Sequence, residues 1–294
     1  MTDQGDLLLI MGLGYCGRAI AETARGAGMR VIGTHRGAAD AEGAVPFAEA
    51  GPWISAASHL LVTAPPDPET PDPKTGDPVL ARFAPLIRAA PRLRWIGYLS
   101  STGVYGDRGG AWVDETTPPA PGSVRSRARL AAEQAWEALA DHRAVDIFRL
   151  GGIYGPGRSV FAALRAGTAR RVIKPGQFFS RIHRDDIAAA VRAAMQNAPQ
   201  RGVRVFNLVD DLPAPSEAVI EEAARLLGLP LPPAIPFEEA RAVMSPMALS
   251  FWLENRRVAN HRTKAALGLA WRHPTYREGL AATLAEERAG ERRT

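Results

Sequence analysis

Short strand-like runs recur along the first half of the chain, at Leu7 to Met11, Arg30 to Gly33, His59 to Thr63, Leu93 to Ser100 and Val145 to Leu150. Short, largely apolar runs bounded by turn residues suit strands that are buried on both faces, as in a parallel sheet. The spacing predicts helices between them, at Tyr15 to Ala27, Asp77 to Ala89 and Ser123 to Asp141. Pro78 falls in the first turn of the second helix, where its missing N–H costs nothing. Strand and helix alternate as in successive βαβ units, so the expected fold class is α/β, a Rossmann-like doubly wound parallel sheet.

Beyond Gly151 the rhythm changes. A Gly/Pro-rich turn leads to a short basic helix around Phe161 to Ala169, and a further helix runs from Ile187 to Met195, opened by Asp185 or Asp186. Val203 to Val209 reads as a strand returning to the first sheet, a helix lies between the proline breaks of Pro213 to Pro236, and the stretch from Thr275 is helical. The expected organisation is a Rossmann-like domain over residues 1–158, completed by the strand at 203–209, and a smaller domain over 159–294.

Composition narrows the class. The 294 residues are 46% hydrophobic and 23% charged, at the globular average, which excludes a disordered or fibrous chain. The net charge of +5 mixes 36 basic with 31 acidic residues and forms no long block, so nucleic acid is not an expected partner. No apolar run reaches the roughly 18 residues of a membrane span. A single cysteine and an opening without a secretory pattern make the cytoplasm the expected compartment. The six histidines show no paired spacing, and with one cysteine no metal site is expected.

Chemistry enters directly after the first run, in Gly12-Leu13-Gly14-Tyr15-Cys16-Gly17. The three glycines serve a tight turn, close approach of backbone to a pyrophosphate, and close packing of helix on strand, while the helix N-terminus presents N–H donors to the anion. An NAD-selective site ends its second strand with an acid that bonds the ribose hydroxyls. Here that strand ends in Gly33-Thr34-His35-Arg36, and a guanidinium in place of a carboxylate suits a 2′-phosphate, hence NADP rather than NAD. Thr34, Arg36 and Ala64-Pro65, which follow the third run, complete the expected cofactor set. Cys16 is expected to be a small neighbour of the cofactor with no catalytic role. The segment Pro65 to Pro78, with six prolines and four acids, reads either as a surface excursion or as a lid over the cleft.

The motifs Leu99-Ser100-Ser101-Thr102-Gly103-Val104-Tyr105-Gly106, Leu150-Gly151-Gly152-Ile153-Tyr154-Gly155-Pro156-Gly157, Ile182-His183-Arg184-Asp185-Asp186 and Phe206-Asn207-Leu208 resemble the extended short-chain dehydrogenase/reductase superfamily, in its epimerase/dehydratase group. The resemblance implies that Ser101 hydrogen-bonds a substrate oxygen and that a Tyr-x-x-x-Lys pair on the next helix handles the proton. That pair falls on Arg125 and Arg129. Arg129 keeps the positive donor that would hold the nicotinamide ribose, but a guanidinium with pKa above about 12 cannot replace the tyrosine as an acid. Tyr105 is the candidate substitute acid, and Thr102, Arg125 and Tyr154 are candidate substrate contacts. His183 reads as a structural histidine. Two arginines in place of Tyr and Lys suggest a small, anionic substrate gripped in bidentate fashion. Arg158, Arg165, Arg170 and Arg171 are further candidates for such an anion, or form a solvated basic face. The expected function is that of an NADP-dependent oxidoreductase or epimerase-like enzyme, and the competing reading is a non-catalytic NADP(H) sensor.

Overall fold

The computed structural model describes residues 5–37, 43–67 and 76–292. Seven strands form one all-parallel sheet: β1 Leu7–Met11, β2 Arg30–His35, β3 Ala44–Pro46, β4 His59–Val62, β5 Trp95–Ser101, β6 Ala144–Leu150 and β7 Gly202–Leu208. Their order is β7-β6-β5-β4-β1-β2-β3. It turns at β1, so the crevice between the carboxyl ends of β1 and β4 is the switch point at which open α/β sheets bind ligands.

Every residue of β1, β4 and β6 is buried, which is why their sequences are nearly continuous apolar runs rather than alternating ones. On one face Leu8, Ile10 and Phe148 pack against Ile20 and Ala24 of α1 (Tyr15–Gly26) and against Ile187 and Val191 of the Arg184–Gln196 helix. On the other face Leu9, Met11 and Ile147 meet Ile54 of α2 (Gly51–Ala56), Phe83 and Ile87 of α3 (Pro78–Ala89) and Trp136 of α4 (Val124–Glu137). Asp77 caps α3 by accepting hydrogen bonds from the Val79 and Leu80 amides, both at 2.9 Å, as a residue ahead of Pro at the first helical position should.

After Gly151 the chain divides itself between the sheet and smaller clusters. The short strand Gly152–Tyr154 pairs in parallel with Arg181–His183, the Arg184–Gln196 helix lies against α1, and β7 becomes the sheet edge beside β6. Phe161, Leu164, Ile220, Ala223, Tyr276 and Leu280 form a separate core, and Val172, Phe237, Ala240 and Trp252 another. Of the proline-rich segment, the Asp67 amide donates to the Gly76 carbonyl at 2.8 Å, while 68–75, on which the lid reading depends, lie outside the described residues.

Candidate active site

The three glycines of the loop have three different surroundings. Gly12 adopts φ +109°, and a Cβ there would stand 2.7 Å from Thr63 Oγ1 and 3.3 Å from the Ala64 amide nitrogen. A Cβ on Gly17 would stand 2.5 Å from the Gly12 carbonyl oxygen. A Cβ on Gly14, in contrast, would meet nothing within 4 Å. Gly14 caps α1 with no side-chain hydrogen bond, so the amide end of that helix faces open space. Backbone close-packed behind and open in front is what a diphosphate requires, and the residues fit a dinucleotide. Thr34 anchors the loop: its Oγ1 accepts from the Gly12 amide at 3.0 Å, and its carbonyl accepts from the Leu13 amide at 2.7 Å.

Burial pushes the Cys16 thiol up to about 11, so the helix N-terminus does not make it a nucleophile. Tyr15 donates through Oη to the Pro156 carbonyl at 3.0 Å, and the guanidiniums of Arg158 and Arg184 lie 5.7 and 5.5 Å from its ring. Tyr15 therefore joins the glycine loop to the Gly155–Arg158 turn. Arg36 leaves the end of β2 with its side chain 78% exposed and 3.7 Å from Asp67, in the loop that Pro65 begins.

A cavity of about 420 Å³ opens beside this crevice. Ser101, the last residue of β5, and Thr102 form its floor, and α4 contributes Arg125 and Arg129 from one face, as their spacing of four requires. Ser101 Oγ accepts from the Gly103 amide at 3.1 Å, which leaves its O–H free to donate. Arg129 is fixed by bonds from Nη1 to the Leu99 carbonyl at 2.8 Å and Tyr98 Oη at 3.1 Å. Arg125 is exposed, with no hydrogen bond or ion pair among the described residues. Arg158, on the Tyr15 ring, also lines the cavity. The far wall is Phe178, Phe179, Phe251 and Trp252. Glu254 is the one carboxylate in the lining, paired with Arg256 at 2.8 Å. Among the described residues no tyrosine, lysine or histidine lines the cavity.

Two expectations need correction. Tyr105 is fully buried: its hydroxyl donates to Asn207 Oδ1 at 2.8 Å and its ring lies 4.9 Å from the Arg149 guanidinium. Burial raises its pKa, and it does not line the cavity, so it is not the acid there. Tyr154 is turned toward the Tyr276–Glu291 helix, where a Cβ on Gly279 would stand 1.9 Å from its hydroxyl, and it too is outside the lining. Both side chains are fixed by partners distant in sequence, Asn207 and Gly279, which the motifs do not reveal.

His183 is structural, but differently from expectation. Its Nδ1 accepts from the Asp185 amide at 3.2 Å, making His183 itself the helix cap, and Nε2 meets Thr283 Oγ1 at 3.2 Å. Asp186 instead accepts the amides of Arg272 and His273. His183, Asp185 and His273 bring ligand-type atoms within 4.8 Å of one another, a cluster the linear spacing does not show. Among the other candidate arginines, Arg165 pairs with Glu287 and Arg171 with Glu221, and neither joins Arg158 in the cavity lining.

Fold and glycine loop together define a Rossmann-like α/β protein of the nicotinamide-dinucleotide type, with a cavity beside the switch-point crevice. Residues 83–208 match the model of the NAD dependent epimerase/dehydratase family. Over those residues the chain carries an NAD dependent epimerase/dehydratase domain, with Arg125 and Arg129 at the positions where the resemblance places the Tyr-x-x-x-Lys pair. It is similar to a conserved protein of unknown function from Silicibacter pomeroyi DSS, at 45% identity and TM-score 0.87 over 96% of this chain and 99% of that one. It shares its fold with human epimerase family protein SDR39U1, solved with NADPH, at 19% identity and TM-score 0.77 over 95% and 99% of the two chains. A curated 3-diazoavenalumate denitrifying reductase from a Streptomyces species is 31% identical over 182 residues, 58% of this chain. The match spans 55% of that reductase, about half its length. Among the described residues no helix is long and apolar enough to cross a membrane.

Proposed function

We propose that the protein is an NADP(H)-linked oxidoreductase whose small, anionic substrate is held over Ser101 by arginines at the positions where the resemblance places tyrosine and lysine. The observation that carries this reading is the convergence of Ser101, Arg125 and Arg129 on one cavity beside the open amide end of α1. When bound, the reduced nicotinamide supplies two electrons as hydride to a substrate carbon. Ser101 donates its free O–H to the substrate oxygen, and Arg129, held by the Leu99 carbonyl, presents positive charge where negative charge develops. A guanidinium does not release its proton, so the product oxygen takes its proton from water at the cavity mouth. Arg125 grips the substrate's anionic group. The Streptomyces relative's name as a reductase and the human neighbour's NADPH are consistent with this assignment.

Arg36 sets the cofactor. A charge-assisted bond to the 2′-phosphate is worth about 1.5–3 kcal/mol, so Arg36→Ala is expected to weaken NADPH roughly 10- to 150-fold and leave NADH unchanged in calorimetric titration. Equal NADPH affinity for both proteins removes the NADP assignment. The catalytic claim is tested by NADPH oxidation with a panel of small oxo acids, in which turnover no higher than that of Ser101→Ala refutes it.

A cofactor sensor is the second reading, favoured by the lack of any tyrosine, lysine or histidine in the cavity lining among the described residues. Arg125→Tyr combined with Arg129→Lys discriminates: hydride exchange gained only in the double variant supports the sensor, and exchange already present in the native chain ends it.

A further inference from the structure

Two chemistries meet in the cavity lining. Arg125 and Arg158 are exposed, and neither has a carboxylate partner among the described residues. Phe179 meets Trp252 edge to face at 5.0 Å, and Phe237 stacks behind Trp252 at 5.4 Å, so that part of the lining is rigid and apolar. Phe251 stands at its rim 57% exposed, beside Met247 at 65% and Leu253 at 62%. Met247 and Leu253 lie outside the cavity lining, and of the three only Phe251 offers its exposed ring to a ligand there. Two polar groups of the lining are already engaged: Ser250 donates its hydroxyl to the Met247 carbonyl at 2.7 Å, and Glu254 is held by Arg256.

We infer that the substrate is an aromatic carboxylic acid, its carboxylate at Arg125 and Arg158 and its ring against Phe251 and the Phe178–Phe179 wall. A volume of about 420 Å³ suits a molecule of that size. The pairing follows from chemistry alone. A guanidinium fork matches a carboxylate in two parallel bonds, and a flat ring buries Phe251 with little loss of conformational freedom. The inference rests on the reading of this cavity as the substrate side of a nicotinamide enzyme.

The test is calorimetric titration of the full chain, with and without saturating NADPH, using 4-hydroxycinnamate, its primary amide, acetate and UDP-glucose. The acid is expected to bind roughly tenfold tighter than the amide, because only the acid forms the charge-assisted pair. It should also exceed acetate, which lacks the ring, and UDP-glucose. Arg125→Gln is expected to reduce the preference for acid over amide to about threefold or less. Phe251→Ala should weaken the acid about fivefold, and unchanged NADPH affinity in both variants shows that the fold is intact. Acid and amide within threefold of each other, tighter binding of UDP-glucose, or native affinity in Phe251→Ala overturns the inference. NADPH binding is read in its own titration. Its loss in the native chain refutes the oxidoreductase reading, whereas intact NADPH binding without acid preference refutes only the substrate class.

Discussion

Glu133→Ala is expected to lower the unfolding free energy by about 3–5 kcal/mol, read as a reduced urea midpoint at unchanged slope. The Glu133 side chain is fully buried and that of Arg149 is 5% exposed, with Arg149 Nη2 2.8 Å and Nε 3.2 Å from the two carboxylate oxygens. Ser100 Oγ donates to the same carboxylate. Removing Glu133 leaves a guanidinium in the core with no countercharge, and that uncompensated charge, rather than the lost bond, makes the effect large. The companion variant, Glu133→Leu with Arg149→Met, removes both charges and is expected to recover most of the loss. A double variant as unstable as the single one would refute the charge argument. The pair also holds α4 to the ends of β5 and β6, and so fixes Ser101 relative to Arg125 and Arg129.

The half of the site that follows from local rules was legible in the sequence. Gly12, Gly14 and Gly17 announce a turn, an approach and a packing contact within six residues, and the buried strands β1, β4 and β6 betray themselves by nearly unbroken apolar runs. The common face of Arg125 and Arg129 follows from helical spacing alone. β3 was not legible, because Ala44–Pro46 is a three-residue edge strand, none of it buried, with no pattern to read. Nor was the aromatic wall. Phe179 and Trp252 lie far apart in sequence and meet only through tertiary packing. Tyr105 and Tyr154 were placed at the cleft by their motifs, yet the direction of each side chain depends on Asn207 and on Gly279. The Phe206-Asn207-Leu208 motif thereby gains a physical role: Asn207 accepts the hydroxyl of the buried Tyr105 and donates to the Ala259 carbonyl at 3.1 Å.

Gly106→Ala is expected to cost about 2–6 kcal/mol, the sum of backbone strain near 1–3 in a region of φ and ψ that only glycine adopts readily and overpacking near 1–3. Gly106 has φ +68°, and a Cβ there would stand 1.9 Å from the Ala120 carbonyl oxygen. That oxygen belongs to backbone that is itself pinned, since the Ala120 amide donates to the Val104 carbonyl at 2.9 Å. Gly109→Ala is the control: φ is +56° and a Cβ would meet nothing within 4 Å, so only the strain of about 1–2 kcal/mol is expected. The difference between the two in urea unfolding measures the close approach together with the extended ψ of Gly106. Gly106 also accepts from Arg256 Nη1 at 2.9 Å, so displacing it moves a wall of the cavity. Affinity for 4-hydroxycinnamate is therefore expected to fall in Gly106→Ala and to hold in Gly109→Ala. If both variants lose the same stability, the Ala120 segment yields freely, and the glycine of the Val-Tyr-Gly motif is required for its dihedral angle alone.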